Sequence, residues 1–117
     1  MEIKSATASL AALGHETRLG IFRLLIQAGP GGVNAGQICE KLGIAPATLS
    51  FHLAHLSRVG LIVGRQQGRF IYYVADYAAM DELLGYLTDN CCLGGQCRPK
   101  SAAIPATIKR RTTATAR

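Results

Sequence analysis

Three of the four cysteines in this 117-residue chain lie close together, in the segment NCCLGGQC at residues 90–97. Cys91 and Cys92 are adjacent, and four residues that include a Gly-Gly pair separate them from Cys97. Thiolates are soft ligands that favour thiophilic ions. The glycines would let the chain fold back, so that all three sulfurs face one ion. The segment is therefore a candidate thiol site for a metal or metalloid.

The number of thiols indicates which ion this cluster suits. A structural zinc site has four protein ligands, whereas this neighbourhood offers three cysteines and no histidine. Trivalent arsenic and antimony bind three thiolates in a pyramid, which matches the count. The cluster therefore favours As(III) or Sb(III) as an effector, and no resident cofactor is expected.

Three other interpretations of the thiols stay open: a redox-sensing disulfide, the thiol site of an oxidoreductase, and an incidental group of cysteines. A Cys91–Cys92 disulfide is disfavoured, because adjacent Cα atoms are about 3.8 Å apart and disulfides usually span about 4.4–6.8 Å. A bridge from either residue to Cys97 is feasible and would make the protein a redox sensor. An oxidoreductase is disfavoured, because the chain has no Cys-x-x-Cys at a helix start. The third interpretation is an incidental group of cysteines near a chain end.

The elements that carry this cluster belong to one small domain. Residues 98–117 contain six of the 13 Lys and Arg residues and none of the seven Asp and Glu residues, so residues 1–97 are formally neutral. We expect a domain at 1–97 and a basic, disordered tail at 98–117. No apolar run approaches the ~20 residues that span a bilayer, and no signal-peptide pattern occurs. A cytoplasmic location with reduced thiols is expected.

Apolar periodicity and turn residues predict five helices and one β-hairpin. The helices are predicted over 5–13, 15–28, 34–42, 46–59 and 75–90, and the hairpin over 61–74 with its turn at Gln67-Gly68. Asn34 is a good N-cap, and Pro46 suits the first helical position. The apolar face of the second helix is assigned to Leu19, Phe22, Leu25 and Ile26.

The order α-α-α-α-β-β-α predicts a mainly α winged helix-turn-helix with a small β-hairpin as the wing. Three segments, LAALGHETRLGIFRLL, ICEKLGIAPATLSFHLAHLSRVGLI and GRFIYYV, resemble the ArsR/SmtB family of metalloregulatory repressors. The resemblance covers roughly residues 8–90. It implies a homodimer that binds a pseudo-palindromic operator. It also implies a dimer interface formed by the first and last helices, whose apolar residues are Leu10, Leu13, Leu83, Leu84 and Leu87.

The polar face of the fourth helix and the tip of the hairpin are the predicted DNA-contacting surfaces. Leu49, Leu53 and Leu56 mark the core side of this helix. All charged residues between positions 41 and 75 are basic. Arginines on this surface are expected to contact phosphates. The predicted DNA-binding residues are Ala47, Thr48, Ser50, Phe51, His52, Arg58, Arg65 and Arg69.

Two of these residues have alternative roles. Phe51 would either meet an apolar group of the DNA, such as a thymine methyl, or cap the core beneath the wing. His52 lies at the edge of the core stripe and is either a structural histidine or a DNA contact. The second role is implied by the family's Ser-x-His-Leu segment. Ala45 stands where the family commonly has a capping Ser, at a cost of about 1 kcal/mol.

The resemblance also bears on the thiols. The Cys-x-Cys of many arsenic sensors is missing beside the helix-turn-helix, where Cys39 is expected to pack in the core. No His occurs between Asp76 and Asn90, so the family's zinc site is absent. NCC…C after the last helix resembles a family variant with its arsenite site there. The sequence thus predicts a repressor released by As(III), Sb(III) or methylarsenite. A thiol redox-sensing repressor of the same fold is the alternative.

Overall fold

A computed structural model describes residues 1–94, and the predicted helices and hairpin are all present. Cys97 and the tail at 98–117 lie outside the described residues, so the predicted domain boundary stays a prediction. The elements are α1 (Ile3–Leu13), α2 (Glu16–Ala28), β1 (Val33–Asn34), α3 (Ala35–Leu42), α4 (Pro46–Arg58), β2 (Ile62–Gln67), β3 (Phe70–Ala75), α5 (Tyr77–Leu87) and a 3-10 turn, Cys91–Gly94. Contacts divide the chain into one unit at Met1–Leu87 and a second that begins at Thr88.

The core of the first unit is formed by one face of each helix around α4. The predicted stripe of Leu49, Leu53 and Leu56 is buried, which leaves the opposite side of α4 at the surface. Burying a large apolar side chain contributes about 1.5–3 kcal/mol to stability. The largest fully buried side chains are Ile21, Leu25, Ile38, Leu49, Leu56 and Leu61.

The prediction for Leu19 is wrong, since this side chain is 43% exposed. Consecutive helical residues differ by about 100°. Leu19 is therefore about 60° from Phe22 around α2, but about 120° from the fully buried Leu25. The i, i+3 spacing between Leu19 and Phe22 predicted that Leu19 faces the core. In the structure Leu19 lies at the edge of the buried face of α2, where it borders a groove together with Phe22 and Met80.

Local residues set the helix boundaries. Asn34 caps α3, because its side-chain oxygen accepts from the Gln37 N–H at 2.9 Å. In the other direction, the Asn34 N–H donates to the side-chain oxygen of Gln37 at 3.1 Å. Ala45 makes no side-chain cap at α4, where Pro46 occupies the first position. Helix α1 begins two residues earlier than predicted. Helix α5 runs over Tyr77–Leu87 rather than 75–90, because a Thr-Asp-Asn sequence favours turns over helix interiors.

The sheet contains one strand that the sequence did not predict. β1 pairs antiparallel with β3, so the strand order is β1-β3-β2. Two residues are too short for any periodicity, and Asn34 carried the stronger signal of a helix cap. The hairpin register pairs Gln67 with Phe70, so the turn is Gly68-Arg69, one residue later than predicted. Gly68 has φ 66°, a conformation that such tight turns require.

Gly32 allows β1 to approach β3 closely. Its φ is 80°, and a Cβ there would lie 2.8 Å from the Tyr73 carbonyl oxygen. We expect Gly32→Ala to lower the free energy of unfolding by about 1–3 kcal/mol, measured by urea denaturation. Gly31→Ala is the control, because no atom lies within 4 Å of its Cβ position. Equal stability of the two variants would contradict this account.

Candidate nucleic-acid interface and thiol cluster

Helix α4 presents to solvent the face that the sequence predicted. Its exposed residues are Pro46, Ala47, Thr48, Ser50, Phe51, Ala54, Ser57 and Arg58. Phe51 is 67% exposed, so the alternative in which it caps the core beneath the wing is wrong. A helix with side chains is about 10–12 Å across and fits a major groove about 12 Å wide. This face, with small side chains around one protruding aromatic ring, has a shape that can approach base edges.

His52 lies on the core side of α4 and is 6% exposed. Its Nδ1 is 3.3 Å from Nη1 of Arg18, and its ring centroid is 4.8 Å from that of His15. A guanidinium only donates, so Nδ1 accepts and the proton of the neutral ring resides on Nε2. Burial lowers the pKa of His52, and His15, Arg18 and His55 lower it further. The structure places His52 away from the exposed face, and its role as a DNA contact stays a prediction.

Arg18 is a residue that sequence reasoning missed. Its Nε donates to the Ala12 carbonyl oxygen at 2.7 Å, which satisfies one of the carbonyls at the C-terminal end of α1. Through Nη1 it also reaches His52, so one side chain of α2 joins α1 to α4. No local pattern could have identified it, because its partner on α4 is 34 residues away and a single arginine on an amphipathic helix is usually solvated.

The two arginines of the wing differ in their contacts. Arg65 donates from Nη2 to the Pro30 carbonyl oxygen at 2.7 Å, which ties the hairpin to the connection between α2 and β1. Arg69 is exposed in the turn, within reach of a nucleic-acid backbone. The sequence predicted the same role for both, but the structure gives Arg65 an intramolecular partner as well.

The charges favour a polyanion on this side of the protein. From position 41 to 75 the charged side chains are Lys41, Arg58, Arg65 and Arg69, and all of them are exposed. The acidic Asp81 and Glu82 lie on α5. Exposed cations without intervening acids attract phosphates over several ångströms. The helix-turn-helix and wing thus form the candidate nucleic-acid interface.

The adjacent cysteines occupy the 3-10 turn four residues beyond the end of α5. The chain leaves the α-helical path here, since Asn90 and Cys92 have φ of 57° and 53°. Cys91 Sγ donates to Cys92 Sγ at 3.7 Å, so this turn brings the two sulfurs together.

The predicted three-cysteine ligand set is only partly visible. Cys97, its third member, lies outside the described residues. Within residues 1–94, no group of three or more His, Cys, Asp or Glu side chains is arranged to hold a metal ion. Cys39 is half-buried on α3 and packs against the core, as predicted. None of the helices in the described part of the chain has the length and apolar character needed to span a bilayer.

Comparison with known proteins gives the same architecture. The helix-turn-helix domain family matches residues 13–65. The transcriptional activator HlyU of Vibrio cholerae is 34% identical over 89 residues, which cover 72% of this chain and 80% of HlyU. The arsenical resistance operon repressor of Escherichia coli is 38% identical over 61 residues, which cover 52% of this chain and 50% of that protein.

Solved structures extend the comparison to the fold. An ArsR-like transcriptional regulator from Rhodococcus sp. RHA1 superposes with a TM-score of 0.62 at 26% identity, covering 72% of this chain and 76% of that chain. The mainly helical fold with a small antiparallel hairpin is thus that of a winged helix-turn-helix protein.

Proposed function

Because the chain belongs to the ArsR family of helix-turn-helix transcription regulators, we propose that it is an effector-responsive repressor that acts in the cytoplasm on a pseudo-palindromic operator. Members of this family regulate transcription and are not enzymes. The observation that carries the DNA-binding role is the exposed face of α4, together with the exposed cations Arg58 on the same helix and Arg65 and Arg69 on the hairpin. Ala47, Thr48, Ser50 and Phe51 face the bases, and Arg58, Arg65 and Arg69 face the phosphates.

A homodimer is part of this proposal. Leu10 on α1 and Leu87 on α5 are 44% and 53% exposed, and α1 packs against α5. Large apolar side chains on two neighbouring helices favour burial against a second copy. Two copies related by a two-fold axis would present two α4 helices to successive major grooves, about 34–36 Å apart.

The proposed effector is trivalent arsenic or antimony, bound by the thiolates of Cys91, Cys92 and Cys97. The proposal is supported by the paired sulfurs of Cys91 and Cys92 and by the softness of thiolate ligands. One relative is an arsenical resistance operon repressor. Binding would reshape the segment after α5 and misplace the half-sites. A coupling of about 1–3 kcal/mol, or about 5–150-fold in DNA affinity, suffices.

A second candidate is a thiol redox-sensing repressor of the same fold. The exposure of Cys92 beside the Cys91 thiol at 3.7 Å supports it, because an oxidant could reach this thiol pair and change the same segment without any metalloid. The two candidates share the DNA-binding surface and differ in the chemistry that releases the DNA.

One titration separates these functions. A fluorescent duplex is first selected from a random library by the full chain, which is reduced with a phosphine so that no competing thiol is added, and the phosphine is removed before the titrations because it would consume peroxide. Anisotropy is then followed during separate titrations with arsenite, antimonite, zinc and peroxide. Release by arsenite supports the metalloid sensor, release by peroxide alone replaces it with the redox sensor, and failure to select any duplex overturns the DNA-binding role.

The wing gives a separate prediction. Arg69→Ala is expected to weaken binding to all duplexes by a similar factor and to reduce the slope of log K against log salt by about 1, as loss of one phosphate contact does. Arg23→Ala is the control, because Arg23 is an exposed cation on α2 outside the candidate interface. A change in preference at a single base pair would instead show that Arg69 reads sequence.

A further inference from the structure

Phe51 is the one large apolar side chain on the exposed face of α4. It is 67% exposed, and its neighbours on this face are small or carry hydroxyl groups. An apolar ring among polar groups gains free energy only when it contacts another apolar group. The C5-methyl of thymine is the apolar group that base pairs display in the major groove. The shape and chemistry of this face therefore match a thymine.

The ring of Phe51 is held from behind by a buried neighbour. His52 lies edge-to-face with it, with centroids 5.4 Å apart and ring planes at 68°. Such pairs contribute about 0.5–1.5 kcal/mol beyond the area that they bury. His52 is one residue along the helix and faces the core, so it can restrict the ring of Phe51 without contacting DNA itself.

His52 is in turn fixed from α2. Arg18 donates to both the Ala12 carbonyl oxygen and His52 Nδ1, and a planar guanidinium fixes the direction of both bonds. The ring of His15 also packs against His52, with centroids 4.8 Å apart. His15 is itself held in place, because its Nδ1 accepts from the Thr17 N–H at 3.1 Å.

We propose that Phe51 reads the methyl group of a thymine and that Arg18 and His52 are positioning residues that fix its ring for this contact. The inference rests on the DNA-binding role proposed above and adds the type of base that α4 recognises. It also assigns Arg18, which lies on a different helix, a part in base discrimination.

This arrangement requires a neutral His52. Protonation of Nδ1 would turn an acceptor into a donor facing the Arg18 cation. Because the pKa of His52 lies below its usual value, the ring is neutral at about pH 7.5 and becomes charged only at more acidic pH. The charged groups that act on it are His15 and Arg18 from the side of α2 and His55 from α4. Desolvation, Arg18 and Arg58 also lower the pKa of His55.

The test uses a duplex selected by the full chain at about pH 7.5, in which each thymine is replaced in turn by deoxyuridine. The unsubstituted protein is expected to lose about fourfold in affinity per half-site at one position, the factor that burial of one methyl group provides. Phe51→Ala is expected to bind thymine and uracil equally at that position. Phe51 is exposed, so its substitution leaves the core intact.

Arg18→Lys tests the positioning role, since a lysine keeps the charge but cannot hold both partners in one plane. The thymine preference is the ratio of the affinities for the thymine and deoxyuridine duplexes. This ratio is expected to fall towards one in Arg18→Lys and to stay unchanged in the control, Arg23→Lys. A purely structural role for Arg18 would weaken binding to both duplexes alike and leave their ratio unchanged. The unsubstituted protein provides a second measurement, because its thymine preference should also fall once the pH is lowered far enough to protonate His52, whose pKa lies below the ordinary histidine value.

The outcomes are distinguishable. If no duplex is selected, the DNA-binding role itself fails. If a duplex is selected but uracil is tolerated at every position, Phe51 does not read a thymine methyl. If the thymine preference survives both in Arg18→Lys and at acidic pH, the positioning roles of Arg18 and His52 are wrong.

Discussion

A Cys91→Ser variant is expected to bind operator DNA with unchanged affinity and to require at least about tenfold more arsenite for half-release. Serine keeps the size of the side chain but replaces a soft thiolate with a protonated oxygen, which is a poor ligand for a thiophilic ion. Cys92→Ser and Cys97→Ser should behave in the same way. A methylated trivalent arsenical needs only two thiolates, so Cys97→Ser is expected to retain that response. The measurement is the arsenite concentration at half-release, from anisotropy on the reduced protein.

Cys39→Ser is the matched control for this series. Cys39 is half-buried on α3 against the core, so a hydroxyl there is expected to lower stability by about 1–3 kcal/mol. Its response to arsenite should stay normal. An unresponsive Cys39→Ser protein, together with a responsive Cys97→Ser protein, would show that the metalloid site is elsewhere. If peroxide released DNA from the unsubstituted protein and from Cys39→Ser but not from Cys97→Ser, and arsenite released it from none of them, the redox sensor would be favoured.

Substitution of Leu87 by glutamate is expected to lower operator affinity by at least about 100-fold, which corresponds to about 2.7 kcal/mol. Leu87 is 53% exposed at the end of α5, so a charge there leaves the core intact. In a dimer the same position is buried, and an unpaired carboxylate would be strongly disfavoured. Sedimentation equilibrium should show a monomer, and the thermal unfolding transition should show that the monomer is folded.

Ala78→Glu provides the control for this substitution. Ala78 is exposed on α5, and nine residues at about 100° each place it on the opposite side of the helix from Leu87. The Ala78→Glu protein should therefore remain dimeric and bind the operator normally. A dimeric Leu87→Glu protein with full operator affinity would show that α5 does not form the interface.

Most of the fold could be predicted from the sequence, because apolar periodicity and helix capping are patterns of residues that are close together along the chain. Leu49, Leu53 and Leu56 follow the helical period, and this spacing identified both the buried side of α4 and its exposed face. The capping box of Asn34 and Gln37 acts over three residues, so the start of α3 could be located to within one position. The order of these elements along the chain then predicted a winged helix-turn-helix, which the structure confirms.

The thiol site could be proposed from the sequence because its ligands are neighbours along the chain. Adjacent side chains on a regular helix point about 100° apart, whereas Cys91 and Cys92 lie beyond the end of α5, where the positive φ of Asn90 and Cys92 departs from helical geometry. The spacing of the cysteines does not by itself determine which effector the protein binds. Three thiols serve a metalloid or a disulfide equally well, so the ion stays a proposal that the titration decides.

For several residues the sequence allowed either a buried or an exposed side chain, and only the packing of the elements against one another determines which of the two occurs. Leu19 has the spacing of a core residue but lies beyond the edge of the packed face of α2. Phe51 could have capped the core, and only the packing of the wing leaves it in solvent. Arg18 and His52 are joined across 34 residues, as β1 is joined to β3. Such contacts depend on how separate elements pack, and the residues near each partner along the chain carry no information about them.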